Sequence, residues 1–98
     1  MSRLKFEWDE RKNRSNQHKH GVSFEEAETV FLDENALLLD DPDHSDEELR
    51  FVLLGFSSAL HLLVVCHCER GAGSVIRIIS ARKADRSERT QYTRGNRT

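Results

Sequence analysis

Four apolar runs most strongly constrain what this chain can fold into. They lie at 36–39, 49–56, 60–68 and 74–82, and short polar or glycine-containing segments separate the last three. Such short connections join antiparallel strands, because a parallel connection needs a crossover of a dozen or more residues. The sequence therefore predicts a small antiparallel β-meander.

Capping signals add helices to this meander. Asp9, Ser23 and Asp85 are each predicted to be the N-cap of a helix, and a short strand is predicted at 6–8. The first two helices should end near positions 20 and 33, and 93–98 should fray. The predicted order along the chain is a strand, two helices, four strands and a final helix. This order predicts an α+β fold with the helices packed on one face of the sheet.

Length and composition indicate one globular domain spanning 1–98. The chain has 98 residues, of which 37% are hydrophobic and 33% are charged. No apolar run approaches the roughly 18 residues of a membrane span, and the first eleven residues lack the apolar stretch of a signal peptide. We therefore expect a cytoplasmic protein without a membrane partner.

The charge is unevenly distributed, although the formal net charge is only −2. Residues 21–50 contain eleven Asp and Glu against one Arg, whereas 51–98 contain eight Lys and Arg against three Asp and Glu. The cationic second half is suited to contact phosphates. The acidic segment is either a solvated face or a docking surface for a basic partner.

Cys66 and Cys68 flank His67 in the third apolar run. Residues two apart on one strand have poor geometry for a mutual disulfide, and zinc motifs usually supply a second pair of ligands. Two buried thiols in a central strand is the simpler interpretation. The sequence gives no reason to expect a metal or another cofactor.

Cations occur in the last apolar run, where a buried strand normally excludes them. Simple alternation places Arg77 and Lys83 on one face of this strand and Arg82 on the other. If neighbouring strands bring their polar ends together, we expect a polar group on the open side of the sheet. Its members would be Arg50, His67, Glu69, Arg77, Arg82 and Lys83.

Such a group suits cleavage of RNA without a metal. The reaction needs a base for the 2′-hydroxyl, cations for the pentavalent phosphate and an acid for the leaving 5′-oxygen. Arginine forks match phosphate oxygens, and histidine or glutamate can transfer protons. The candidate catalytic residues are Arg50, His67, Glu69, Arg77 and Arg82, and the candidate RNA-binding residues are Lys83 and Arg89.

These residues also have simpler structural interpretations. Arg77 can pair with Glu69 or extend its charged end to solvent. Arg50 can pair with the acidic loop at 40–48, and His67 can be a satisfied histidine within the sheet. Sequence reasoning from the residues leaves these alternatives open.

Two longer motifs resemble those of a known family. The segment 19–27 reads KHGVSFEEA and the segment 76–84 reads IRIISARKA, with shorter matches at 6–9 and at Tyr92. Together they resemble the BrnT family, the ribonuclease toxins of type II toxin–antitoxin systems, over about residues 6 to 92. The resemblance implies a compact α+β fold like that of the RelE-type toxins.

The resemblance also implies a function and partners. It implies a metal-independent endoribonuclease that cleaves RNA and inhibits translation and growth. It implies neutralisation by a BrnA-type ribbon-helix-helix antitoxin in a heterotetramer, which reaches operator DNA only through the antitoxin. The chain departs from the family at Leu49, where many relatives carry an acidic residue. A non-catalytic RNA- or antitoxin-binding module acting in operon autoregulation is the alternative.

Overall fold

The structure is a computed structural model that describes residues 4–40 and 50–96. The acidic loop at 40–48 lies, after Asp40, outside the described residues, as does Leu49. The strands are β1 (Lys5–Glu7), β2 (Leu37–Asp40), β3 (Arg50–Phe56), β4 (Leu62–Arg70) and β5 (Val75–Lys83), and the helices are α1 (Glu10–His20), α2 (Phe24–Thr29) and α3 (Arg86–Gly95), with a 3₁₀ turn at Val30–Leu32. The predicted α+β class is confirmed.

The strands of the described segments form one sheet in the order β1-β5-β4-β3-β2. The pairs β2–β3, β3–β4 and β4–β5 are antiparallel, which confirms the predicted meander. The first strand differs, because β1 pairs in parallel with β5. The connection from β1 to β5 contains most of the chain, so the short-turn argument for antiparallel pairing does not apply to it.

The predicted N-caps begin their helices, and a glycine ends the first helix. Asp9 accepts hydrogen bonds from the backbone N–H groups that open α1, and Gly21 ends this helix with φ = 70°. Ser23 caps α2, and Asp85 forms a capping box with Glu88 at the start of α3. The last helix continues to Gly95, so positions 93–95, which the sequence predicts to fray, are helical.

The prediction that all helices pack on one face of the sheet is wrong for α3. We call the two sides the helical face, which α1 and α2 cover, and the arginine face, on which α3 packs. The helical-face core comprises Val22, Phe24, Ala27, Val30, Leu53, Leu63, Val65, Ile76, Ile78 and Ala81. The arginine-face cluster comprises Leu54, Leu62, Val64 and Ala84, with Leu37, Val52 and Tyr92 against it. Where α3 packs, the strands carry apolar side chains on both faces. Both faces must therefore be covered by helices to keep these side chains from water.

A bulge in β5 changes the facing of its residues. Cys66 pairs with Ser80, but the next β4 residue, His67, pairs with Ile78. Ile79 is therefore an extra residue in β5, which is the definition of a bulge. Because strand faces alternate with period two, one extra residue exchanges the two faces from that point onward.

The bulge decides where the cations of β5 lie. Ile78 and Ala81 are three apart in sequence, yet both belong to the helical-face core. By the same shift, Arg77 and Arg82, which are five apart, share the arginine face. Uninterrupted alternation would have put these two arginines on opposite sides of the sheet.

Asn16 supports β5 on the side where β1 has ended. Its side-chain oxygen accepts a hydrogen bond from Ala81 N at 3.2 Å, and its Nδ2 donates to Ala81 O at 2.7 Å. The same Nδ2 donates to Val22 O at 2.9 Å. The buried amide of Asn16 thus pairs with the edge of β5 as a neighbouring strand would. It also connects α1 and the loop after it to the sheet.

Candidate active site

Arg50 and Arg77 lie in one row on the arginine face. Arg50 pairs with Cys68 on β4, and Cys68 pairs with Arg77 on β5. Directly paired residues share a face, and adjacent strands are about 4.8 Å apart, so the two arginine Cα atoms are separated by about 10 Å. The side chain of Arg77 is 31% exposed, and Arg50 is also partly exposed. Two guanidinium groups therefore reach solvent from the same side of the sheet.

A carboxylate that sequence reasoning did not select extends this row onto β1. Glu7 pairs in register with Arg77, whose Nη1 donates a hydrogen bond to Glu7 Oε2 at 2.9 Å. Arg70 Nη1 lies 3.8 Å from the same oxygen. The partner of Arg77 is therefore Glu7 and not Glu69, the partner expected from the sequence. The alternation of apolar and polar residues at 6–8 indicates that Glu7 faces away from its apolar neighbours. Nothing in the sequence indicates that β1 pairs with β5.

Arg82 shares the arginine face but lies away from the row. Its partner on β4 is Val64, four residues from Cys68, so Arg82 is about 13 Å along the strand from Arg77. Arg82 Nη1 and Nη2 donate to the two oxygens of Glu88 on α3, each at 2.8 Å. This hydrogen-bonded pairing raises the pKa of Arg82 and lowers the pKa of Glu88. Arg82 therefore fastens α3 to the sheet.

His67 lies on the opposite side of the sheet from the arginine row. It is 1% exposed, and its ring packs edge-on against Phe31, with the centroids 4.9 Å apart, and beside Phe51. Burial lowers the pKa of His67, partly opposed by its contact with Val65 O and by the charge of Glu69. The expectation that His67 lies beside the cations is wrong. Cys66 and Cys68 share the arginine face, and alternation along β4 places His67 between them on the helical face.

Lys83 and Glu69 also fall on the helical face. Lys83 pairs with Leu63, and Glu69 pairs with Ile76, and both partners belong to the core of that face. Glu69 is exposed at the end of β4. Burial raises the pKa of Glu26 on α2, but its hydrogen bonds outweigh burial, so this pKa is lowered overall. The nearby charge of Lys83 contributes to the lowering. The predicted group of six is thus divided between the two faces.

Arg89 is exposed on α3, on the outer surface of the helix. It lines a shallow groove there with Arg86, Thr90, Thr93 and Arg94. Arg89 is therefore placed to meet a ligand that approaches α3, but it does not belong to the arginine row.

The cysteine–histidine segment does not assemble a ligand set. Cys66 and Cys68 project to the arginine face and His67 to the helical face, so the three cannot converge on one ion. Neither cysteine forms a disulfide. Within 4–40 and 50–96, no three His, Cys, Asp or Glu residues are grouped closely enough to hold a metal.

The comparison with known proteins defines the class. Residues 8–88 match the family described as "Ribonuclease toxin, BrnT, of type II toxin-antitoxin system". The fold and this match make the chain a member of the ribonuclease toxins of type II toxin–antitoxin systems. Among them, it belongs to the BrnT family. Membership implies an antitoxin partner and an RNA target.

A solved structure agrees with this assignment. The chain is similar to the ribonuclease toxin BrnT of Brucella abortus, whose crystal structure was determined at 1.1 Å resolution, with 25% sequence identity and a TM-score of 0.64. The similarity covers 85% of this chain and 99% of the Brucella chain. No curated protein sequence matches the chain. Within the described segments, none of the helices has the length and apolar character needed to cross a membrane.

Proposed function

We propose that this protein is a metal-independent endoribonuclease toxin that inhibits translation and growth by cleaving RNA. The observation that carries the proposal is the row on the arginine face, where Arg50 and Arg77 flank Cys68 in register. Two forked cations about 10 Å apart at their Cα atoms are suited to hold one phosphate between their side chains.

Arg50 and Arg77 bind the scissile phosphate and stabilise the charge that develops on it. The 2′-oxygen attacks phosphorus, the bond from phosphorus to the 5′-oxygen breaks, and a 2′,3′-cyclic phosphate remains. The guanidinium of Arg77 is held by Glu7 and therefore needs little reorganisation during this step, which is how electrostatic stabilisation becomes large. Arg82 supplies a further cation along the same face.

Glu7 replaces His67 and Glu69 in the proton-transfer role. It lies on the arginine face, hydrogen-bonded to Arg77, and its side chain is 41% exposed. In the proposed reaction its carboxylate accepts the 2′-hydroxyl proton and then returns it to the departing 5′-oxygen. His67 is left out because its ring is buried among aromatic side chains on the other face.

Cleavage of RNA in excess EDTA tests the proposal. Wild-type protein should release 2′,3′-cyclic phosphate ends, and Arg77→Gln should slow cleavage by about 10²- to 10³-fold, as expected for loss of one preorganised donor. Glu7→Gln should also slow it. Arg14→Gln, on the exposed surface of α1, is the matched control and should cleave normally. If the wild-type protein bound RNA tightly and left it uncut, the non-catalytic binding module would be favoured.

The proposed partner is a BrnA-type ribbon-helix-helix antitoxin in a heterotetramer that contacts operator DNA through the antitoxin alone. A partner that binds only the folded toxin stabilises it by mass action. The toxin should therefore melt at a higher temperature in the complex, and light scattering should give two copies of each chain. Equal melting temperatures with and without antitoxin would contradict this part of the proposal.

A further inference from the structure

A second cationic surface lies beside α3, outside the arginine row. A groove of about 930 Å³ runs between this helix and the start of β2. Its walls combine two arginines, small hydroxyl and amide side chains and one apolar residue. The lining residues are Leu37, Arg86, Ser87, Thr90, Gln91, Arg94 and Gly95.

The lining of the groove includes two arginines and no carboxylate, because Glu88, the acidic residue of α3, is engaged elsewhere. Glu88 turns toward the sheet, where both of its oxygens bind Arg82, and Tyr92 follows on the same side one turn later. Arg86 and Arg94 are eight residues apart and so lie on a common stripe, about 12 Å from one end to the other. Both arginines are exposed.

The register of the sheet links this groove to the proposed active site. Leu37 pairs with Leu54, Leu54 pairs with Val64, and Val64 pairs with Arg82. The floor of the groove and Arg82 therefore lie in one row beneath α3, about 14 Å apart. An extended ligand on the arginine face can leave the row of Arg50 and Arg77, pass Arg82 and continue along α3.

We propose that the groove along α3 binds the sugar–phosphate backbone of single-stranded RNA flanking the site of cleavage. The inference rests on the proposed function and adds the path of the substrate to it. Arginine, serine, threonine and glutamine are the side chains that commonly contact phosphate and sugar oxygens. A stripe of about 12 Å exceeds the stacked spacing of about 3.4 Å per nucleotide, so the groove holds more than one.

An RNA backbone fits the groove better than a protein segment does. Stable protein interfaces are anchored by buried aromatic or large apolar residues, and Leu37 is the single large apolar side chain in this lining. The polar groups of the lining are cationic or hydrogen-bonding, and they recur along the full length of the helix. Backbone contacts of this kind add affinity for RNA without selecting its sequence.

The salt dependence of RNA binding tests the proposal. The probe is a 12-nucleotide single-stranded RNA with 2′-O-methyl groups, which cannot be cleaved, and affinity is measured by fluorescence anisotropy at several salt concentrations. For single strands, each neutralised phosphate contributes about 0.7 to the slope of log K against log salt. The double variant Arg86→Gln/Arg94→Gln should reduce that slope by about 1.4, with equal weakening for unrelated sequences.

The double variant Arg11→Gln/Arg14→Gln is the matched control, because it removes the same charge from the exposed surface of α1. It should leave the slope nearly unchanged, and circular dichroism should show both double variants folded. A wild-type slope in Arg86→Gln/Arg94→Gln, or an equal reduction in both variants, would overturn the proposal.

Two further outcomes separate this inference from the proposed function. If Arg86→Gln/Arg94→Gln reduces the slope as expected but the wild type never cleaves unmodified RNA, the nuclease proposal fails and the groove proposal is supported. If the Arg86→Gln/Arg94→Gln variant keeps its slope for RNA but loses affinity for the antitoxin, the groove belongs to the antitoxin and the RNA assignment fails.

Discussion

The two faces of the sheet are built from the same strands but differ in how they are covered. On the helical face, α1, α2 and the 3₁₀ turn seal a continuous apolar core, and even the polar His67 is buried there. On the arginine face, α3 covers one end, while Arg50 and Arg77 remain partly exposed toward the other. One face therefore supplies most of the burial that stabilises the fold.

This division explains how a sheet of a small protein tolerates several arginines. A charged side chain inside the helical-face core would need a paired partner or would cost several kcal/mol. On the arginine face, Arg77 reaches both solvent and Glu7, and Arg82 reaches Glu88. Substitutions on the two faces should therefore affect different properties of the protein.

The largest difference in stability is expected between two phenylalanines. Phe24 is fully buried on the helical face, whereas Phe56 is 36% exposed and contacts Tyr92 of α3. Phe24→Ala should lower the free energy of unfolding by about 3–5 kcal/mol, and Phe56→Ala should lower it clearly less. Urea denaturation measures both values. Equal losses would show that the two faces contribute alike and would contradict the division.

The hydrogen bonds of Asn16 test how the helical face is fixed to β5. Asn16→Ala leaves the N–H and C=O of Ala81 without their amide partner, which should cost about 2 kcal/mol. Ser15→Ala, one residue earlier on the exposed side of α1, is the control and should change stability by less than about 0.5 kcal/mol. A loss at Asn16 no larger than at Ser15 would show that water replaces the amide.

Local signals in the sequence predicted most of the fold. Asp9, Ser23 and Asp85 cap helices as their residue types require, and Gly21 adopts the left-handed conformation expected of a C-cap. A glycine inside a strand indicates a bulge or a close approach. A Cβ at Gly55 would lie 2.8 Å from Ala36 Cβ, so close approach is the reason for this glycine. The parallel pairing of β1 and the position of α3 depend on distant contacts, which no local signal encodes.

The site was less predictable because it depends on register. Alternation along β5 separated Arg77 from Arg82, and the single extra residue Ile79 places them on the same face. Nothing in the run of isoleucines marks which one is the extra residue. The same limitation left Glu7 unselected, since its role follows from pairing with a strand about 70 residues away.

The pH dependence of stability should reveal the buried histidine. Burial lowers the pKa of His67 in the folded protein below 6.5, so as pH falls through 6.5 the unfolded chain binds a proton that the folded one does not. Stability should therefore fall from about pH 7 downward, by at most about 1.4 kcal/mol per pH unit.

Replacing His67 isolates this contribution. His67→Phe removes the titrating group and suits the aromatic surroundings of Phe31 and Phe51, so the profile between pH 7 and 5.5 should become flatter. Ser15→Ala, at an exposed position of α1, removes no titrating group and should keep the wild-type slope. Urea denaturation at several pH values gives the comparison. Parallel profiles for wild type and His67→Phe would mean that the ring is protonated in place.

The smallest change in stability is expected where α3 is fastened to the arginine face. Arg82 is 44% exposed and Glu88 is 22% exposed, so solvent screens their ion pair, and Arg82→Gln should cost less than about 1 kcal/mol. RNA cleavage should nevertheless slow, because the proposed path of the substrate loses a cation. Glu88→Gln keeps that cation, so it should reduce stability to a similar extent while cleavage persists. If both variants lost cleavage equally, the effect of Arg82 on cleavage would come from holding α3 in position. The proposed contact of Arg82 with RNA would then be wrong.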